Sequence, residues 1–316
     1  MKKGIIILAC AALLMSSCAS EFQSVYKYGD NDTRYEFAKE CFARNKFNNA
    51  VTLLEDLVTL KKGSDEAQEC LYMLAMAQYC NLDYEAASET FKKYGQSYPR
   101  GIYAEPAAFY VGQSLYQSAP EPRLDQSPTN GAITAYQQFI DLYPDSKLRN
   151  QAQNRLYELY DKLIQKELLS AELYYNLGGY FGNINSNEES NYTASIVTAQ
   201  NALKNFPYCN QRERFMMLIV KSKFQLAENS SDEKRLERYR DAEDECYGFI
   251  NEFPDSENVE TVEKYIAKCK KVTRIKIVNS KSVNRKYSDG LQEVKSTGKH
   301  RNTQHHGSLC RYGQYL

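Results

Sequence analysis

The sequence predicts an all-α protein, an array of about five helical hairpins, and three observations lead there. An apolar–small pair recurs at a spacing of 37 residues, as Phe37-Ala38, Leu74-Ala75 and Val111-Gly112. A small residue also sits at one position of each second helix, in the sets Phe47/Ala50/Leu57, Tyr84/Ala87/Tyr94, Ala132/Phe139, Tyr192/Ser195/Ala202 and Tyr239/Ala242/Phe249. Four of these helices close on an aromatic–proline step, at Tyr98-Pro99, Tyr143-Pro144, Phe206-Pro207 and Phe253-Pro254. A fixed period of this length marks a repeat array. Small residues let two helices approach closely, and proline ends a helix because it lacks an N–H and clashes with the preceding turn.

At the N-terminus, Lys2 and Lys3 precede an apolar or small run from Gly4 to Met15, which has the length of a signal h-region and is too short to span a membrane. Leu14-Met15-Ser16-Ser17-Cys18 follows. It resembles a lipobox, in which small residues precede a cysteine that becomes the lipidated first residue. Cys10 is the competing candidate with a shorter h-region, and a plain secretory signal is the bland alternative. Residues 1–17 then form the signal peptide, with 18–32 as the lipidated N-terminus and linker. Several acyl chains on Cys18 anchor stably where one does not. Ala19, rather than Asp, follows Cys18, which in the enterobacterial sorting pattern favours the outer membrane.

Residues 33–145 hold units one to three. The stretch Leu71 to Tyr79, then Tyr84, Ala87, Phe91, Tyr94 and Tyr98-Pro99, resembles the tetratricopeptide repeat nearly position for position. An eight-residue excess in unit three falls in Ala119 to Pro128, which reads as a loop. Residues 146–272 hold units four and five. There Ser146 to Tyr180 reads as a long helix or a broken pair, Asn183 to Asn191 as a polar loop, and Glu228 to Lys234 as an insertion. Asp145-Ser146 and Asp255-Ser256 read as N-caps for the helices that follow.

Residues 273–316 break with this pattern. Nine Lys and Arg against two Asp and Glu make the tail basic, leaving 31 against 38 in the body. All three histidines (His300, His305, His306) lie in the tail, and its composition reads as disorder or an atypical terminus. The balanced overall charge argues against nucleic acid as a partner. The body has no histidine, no Gly-rich phosphate loop and no Cys-x-x-Cys, so catalytic, metal and cofactor residues are all assigned as none. Seven cysteines remain beyond Cys10 and Cys18, and their pairing cannot be read from sequence.

The candidate peptide site is a double aromatic column. Tyr35, Tyr72 and Phe109 recur at 37-residue spacing, and Phe42, Tyr79 and Tyr116 repeat it seven residues later on the same helix face. In tetratricopeptide arrays such positions tend to face the inner groove, which would make an aromatic trough for an extended, apolar-rich peptide. The competing reading packs these rings between hairpins.

The lipobox, the five hairpins and one further stretch resemble the BamD-type lipoproteins of the outer-membrane β-barrel assembly machinery. That stretch is Leu124 to Thr129 leading into Ala132-Ile133 and Phe139 to Ser146, followed by Lys162-Leu163 and Ala171 to Tyr175. Lys221-Ser222, Glu237 to Tyr239 and Phe253 to Ser256 add to it. The resemblance covers roughly residues 14 to 271 and is closest to the form in Bacteroides-like bacteria. It implies a non-enzymatic scaffold on the periplasmic face of the outer membrane. Units one to three would then receive unfolded outer-membrane proteins, and units four and five would dock the POTRA domains of a BamA-type β-barrel subunit. The alternative is a periplasmic tetratricopeptide adaptor in cell-wall or division complexes.

Overall fold

The computed structural model describes residues 21–178 and 190–275. Cys18, the expected anchor residue, most of the polar segment from Asn183 and the tail beyond 275 lie outside these residues. The described residues contain helices and no strand. They fall into two compact units, Met1–Leu169 and Ser170–Leu316.

The first unit opens with α1 (21–28), inside the stretch expected to be a linker. Its apolar face explains the difference, because Phe22 packs on the first hairpin's core and stacks on Tyr26 (5.9 Å). Three hairpins follow: α2 (Asn31–Ala43) with α3 (Phe47–Leu60), α4 (Ala67–Cys80) with α5 (Tyr84–Ser97), and α6 (Ala104–Ser118) with α7 (Ser127–Leu142). Asp30 and Asp83 cap α2 and α5 by accepting from the N–H of Thr33 and Ala86, which satisfies donors orphaned at a helix start. Helix α8 (Arg149–Leu177) is one unbroken helix of 29 residues, the longer of the two forms the sequence allowed.

In the second unit the C-terminal part of α8 is followed by α9 (Asn191–Asn205), α10 (Arg212–Glu228), α11 (Asp232–Glu252) and α12 (259–275). The excess near Glu228 to Lys234 lengthens α11 instead of a loop, leaving a turn of three residues. Asn191 begins α9 and does not belong to a loop. Pro128 likewise lies in the first turn of α7, where a missing N–H costs nothing, so the unit-three loop ends at Gln126. The buried Gln126 side chain ties that loop together by donating to the carbonyls of Glu121 and Leu124. Residues 273–275, expected in the tail, complete α12.

The repeat arithmetic appears directly in the packing. Ala50, Ala87, Ala132, Ser195 and Ala242, the small residues of the second helices, are all fully buried. Ser195 is the one polar member, and its hydroxyl donates to the carbonyl of Ala171 (2.9 Å) while accepting from Ser222 (3.1 Å). Tyr98, Tyr143, Phe206 and Phe253 cap α5, α7, α9 and α11 with nearly one geometry, φ −133 to −127° and ψ 63 to 66°. The proline after each excludes helical backbone at the aromatic residue, so four separate hairpins end alike. Ser146 and Ser256 lie two residues ahead of the N-cap positions of α8 and α12, accepting from the N–H of Leu148 and Asn258 (3.0 Å each).

All six described cysteines are thiols. Burial raises Cys70 to about 11 and Cys246 and Cys269 to about 12. They therefore stay protonated and poorly nucleophilic at neutral pH.

Candidate functional site

The first helices of units one to three carry the six aromatic candidates, and the structure separates them. Tyr35 (4 % exposed) and Phe109 (3 %) are core residues. Phe109 meets Tyr136 and Phe139 edge-on at 5.8 and 5.5 Å. A continuous double column is thus not available to a ligand, because neighbouring hairpins cover its first and third upper positions. Tyr72, at the middle upper position, is half-buried, stacked on Tyr103 (4.4 Å, 8°) and edge-on to Phe91 and Tyr94. Phe42 is half-buried against Phe47.

Tyr79 and Tyr116 belong to a polar cluster spanning α4, α6, α7 and α8. The hydroxyl of buried Tyr136 donates to Gln113 Oε1 (2.8 Å), and Gln113 Nε2 donates to the Tyr79 hydroxyl (3.5 Å). Beside it the Tyr116 hydroxyl donates to Glu158. Arg155 Nη1 donates to Tyr116 (3.0 Å) and Glu158 (2.8 Å), with its guanidinium 4.5 Å from the Tyr116 ring centre. The Tyr116 hydroxyl, then Arg155, hold the Glu158 carboxyl below the ordinary carboxylate range. Arg155 is therefore a paired cation with a planar face on an aromatic ring, suited to backbone and side-chain recognition. Sequence reasoning found the two tyrosines from their spacing but not Gln113, Arg155 or Glu158, which lie off the repeat positions.

A second feature of this unit also escaped the sequence reading. An apolar groove of about 740 Å³ runs between α5, α6 and α7, with Phe91, Ala108, Val111, Ala135 and Phe139 in its wall. Gly95 and Gly131 open it, and a Cβ built on Gly95 meets nothing within 4 Å. The signal was present as small residues at positions the repeat does not require.

Among the described residues no group of three or more His, Cys, Asp or Glu could hold a metal. No described helix is long and apolar enough to cross a membrane.

Stacked antiparallel hairpins, closing prolines and small residues at each crossing define a helical repeat protein of the tetratricopeptide type. Residues 29–190, just over half of the chain, match the family YfiO, outer membrane lipoprotein. The chain belongs to this family, the BamD-type outer-membrane lipoproteins. None of the curated proteins matches it. Among solved structures it is similar to the TPR2AB-domain:pHSP90 complex of yeast Sti1, at 13 % identity and a TM-score of 0.33 over 76 % of this chain and 98 % of that one.

Proposed function

We propose that this lipoprotein is a non-catalytic scaffold of the outer-membrane β-barrel assembly machinery, held by lipid on Cys18 at the periplasmic face. Membership of the outer-membrane lipoprotein family carries this reading. The body is built for protein contacts: stacked hairpins, and a first unit with both a polar aromatic cluster and an apolar groove. Residues 33–145 take segments of unfolded outer-membrane proteins, and residues 146–272 dock the POTRA domains of a BamA-type barrel subunit. A strand of a membrane barrel alternates apolar and polar side chains, so an extended segment can offer rings to the groove and amides to the Tyr79–Tyr116 cluster. Of the six aromatic positions, Phe42, Tyr72, Tyr79 and Tyr116 keep some surface for it, and Tyr35 and Phe109 serve the fold.

Two variants separate the groove from the cluster. A Cβ at Gly95 meets nothing within 4 Å, so Gly95→Leu extends an apolar side chain from an open position on the groove and improves helix propensity; it should leave helicity intact while weakening binding of a barrel-strand peptide about tenfold. Arg155→Ala removes the cation from the cluster and leaves the groove open. Fluorescence anisotropy with a labelled barrel-strand peptide reads both. Unchanged affinity in both variants, with folding intact, would remove the peptide-binding role from the first unit.

A further inference from the structure

Leu82 lies in the turn between α4 and α5 with φ +64°, in the left-handed region, and is 70 % exposed. Its counterpart 37 residues earlier, in the turn between α2 and α3, is Asn45 at φ +58°. Asparagine tolerates that backbone conformation, whereas leucine is strained in it. An exposed leucine is ordinary; one held where the backbone favours asparagine carries backbone strain while staying largely in solvent. Leu124, 59 % exposed, occupies the equivalent connection between α6 and α7.

These turns share one edge of the first unit, since Asn81 Nδ2 reaches from the second turn to Asn48 Oδ1 (2.8 Å) beside the first. The N-terminus comes to the same edge. Helix α1 runs antiparallel to α2, with Tyr26 under the Arg34 guanidinium (5.3 Å), Val25 beside Thr33, Phe37 and Glu40, and Phe22 on the first core. Glu21, the first residue of α1, therefore lies at the end where α2 gives way to α3, near Cys41, whose thiol is raised chiefly by burial and in lesser part by this carboxylate. Glu21 follows Cys18 by three residue steps, with Ala19 and Ser20 between them, a reach of at most about 11 Å.

We propose that the edge formed by the α2–α3, α4–α5 and α6–α7 turns rests on the lipid surface, with Leu82 and Leu124 entering the headgroup region. This orientation rests on the lipid anchor at Cys18 proposed above, and the short tether selects the edge. The opposite edge carries Leu60 (54 % exposed), Ile102 (74 %) and Leu142 (70 %), so the short tether and not exposed apolar surface distinguishes the two edges, and this one faces away from the bilayer. Contact is by apolar insertion, because Arg44, Lys46 and Arg123 on this edge are offset by Glu21, Asp83, Glu121 and Asp125.

The test uses the full-length lipidated protein in phosphatidylethanolamine–phosphatidylglycerol vesicles, with a photoreactive benzophenone side chain at 82, 124 or 102 in turn. Lipid adducts at 82 and 124, insensitive to salt and absent at 102, are expected. Adducts at 102, or none at 82 and 124, overturn the orientation. Mass spectrometry of the N-terminal peptide reads the anchor separately. An unmodified Cys18 withdraws the anchor reading and this orientation with it, while an acylated Cys18 with lipid adducts at 102 overturns the orientation alone. In parallel, Leu82→Asn relieves the left-handed leucine and should raise Tm by about 2 °C, while lowering lipid contact measured at 124. A lowered Tm, or unchanged contact at 124, counts against a membrane role for Leu82.

Discussion

Gly112→Val should strongly destabilise the first unit. A Cβ at Gly112 would lie 2.8 to 2.9 Å from three ring atoms of Tyr136, closer than real Cβ contacts come. The ring has nowhere to go: it is fully buried, its hydroxyl is bound to Gln113, and Phe109 meets it edge-on. Helices α6 and α7 must separate or the ring must leave its rotamer, costing about 2–3 kcal/mol. For a unit of this size that lowers Tm by about 4–12 °C. Thermal unfolding followed by circular dichroism reads it, with Gly95→Leu as the paired control because that site is open. An unchanged melting curve for Gly112→Val would show that the α6–α7 crossing has slack the packing does not reveal.

Cys18→Ala should move the protein from the membrane fraction to the soluble fraction almost completely. Each buried methylene contributes about 0.8 kcal/mol to membrane anchoring, so losing several acyl chains removes an interaction no side chain can replace. No described helix can span the bilayer in its place. Two exposed leucines on the turn edge add far too little to hold the protein alone. Fractionation with a carbonate wash measures this, and a variant that stays wholly with the membrane would refute the lipobox reading.

The repeat positions were legible because they answer to one local rule. Ala50, Ala87, Ala132, Ser195 and Ala242 must be small wherever two helices cross, and all five are fully buried. The closing aromatic–proline steps were legible for the same reason: proline acts on its own neighbour. The candidate site was only half legible, because exposure depends on what covers a residue. Tyr35, Tyr72 and Phe109 share one repeat position, yet Tyr72 keeps some surface while the other two are core. Arg155, Gln113 and Glu158 join the site from non-equivalent positions, so periodicity could not select them. Pro128 misled for a known reason: proline marks either a loop or a helix's first turn, and only the surrounding structure decides which.

Native purification from detergent-solubilised membranes, with a tag after Leu316 and partners identified by mass spectrometry, tests the assembly role. A POTRA-containing β-barrel as the dominant stoichiometric partner is the expected result. Division or cell-wall proteins without that barrel would contradict it and make this repeat protein an adaptor of another envelope complex.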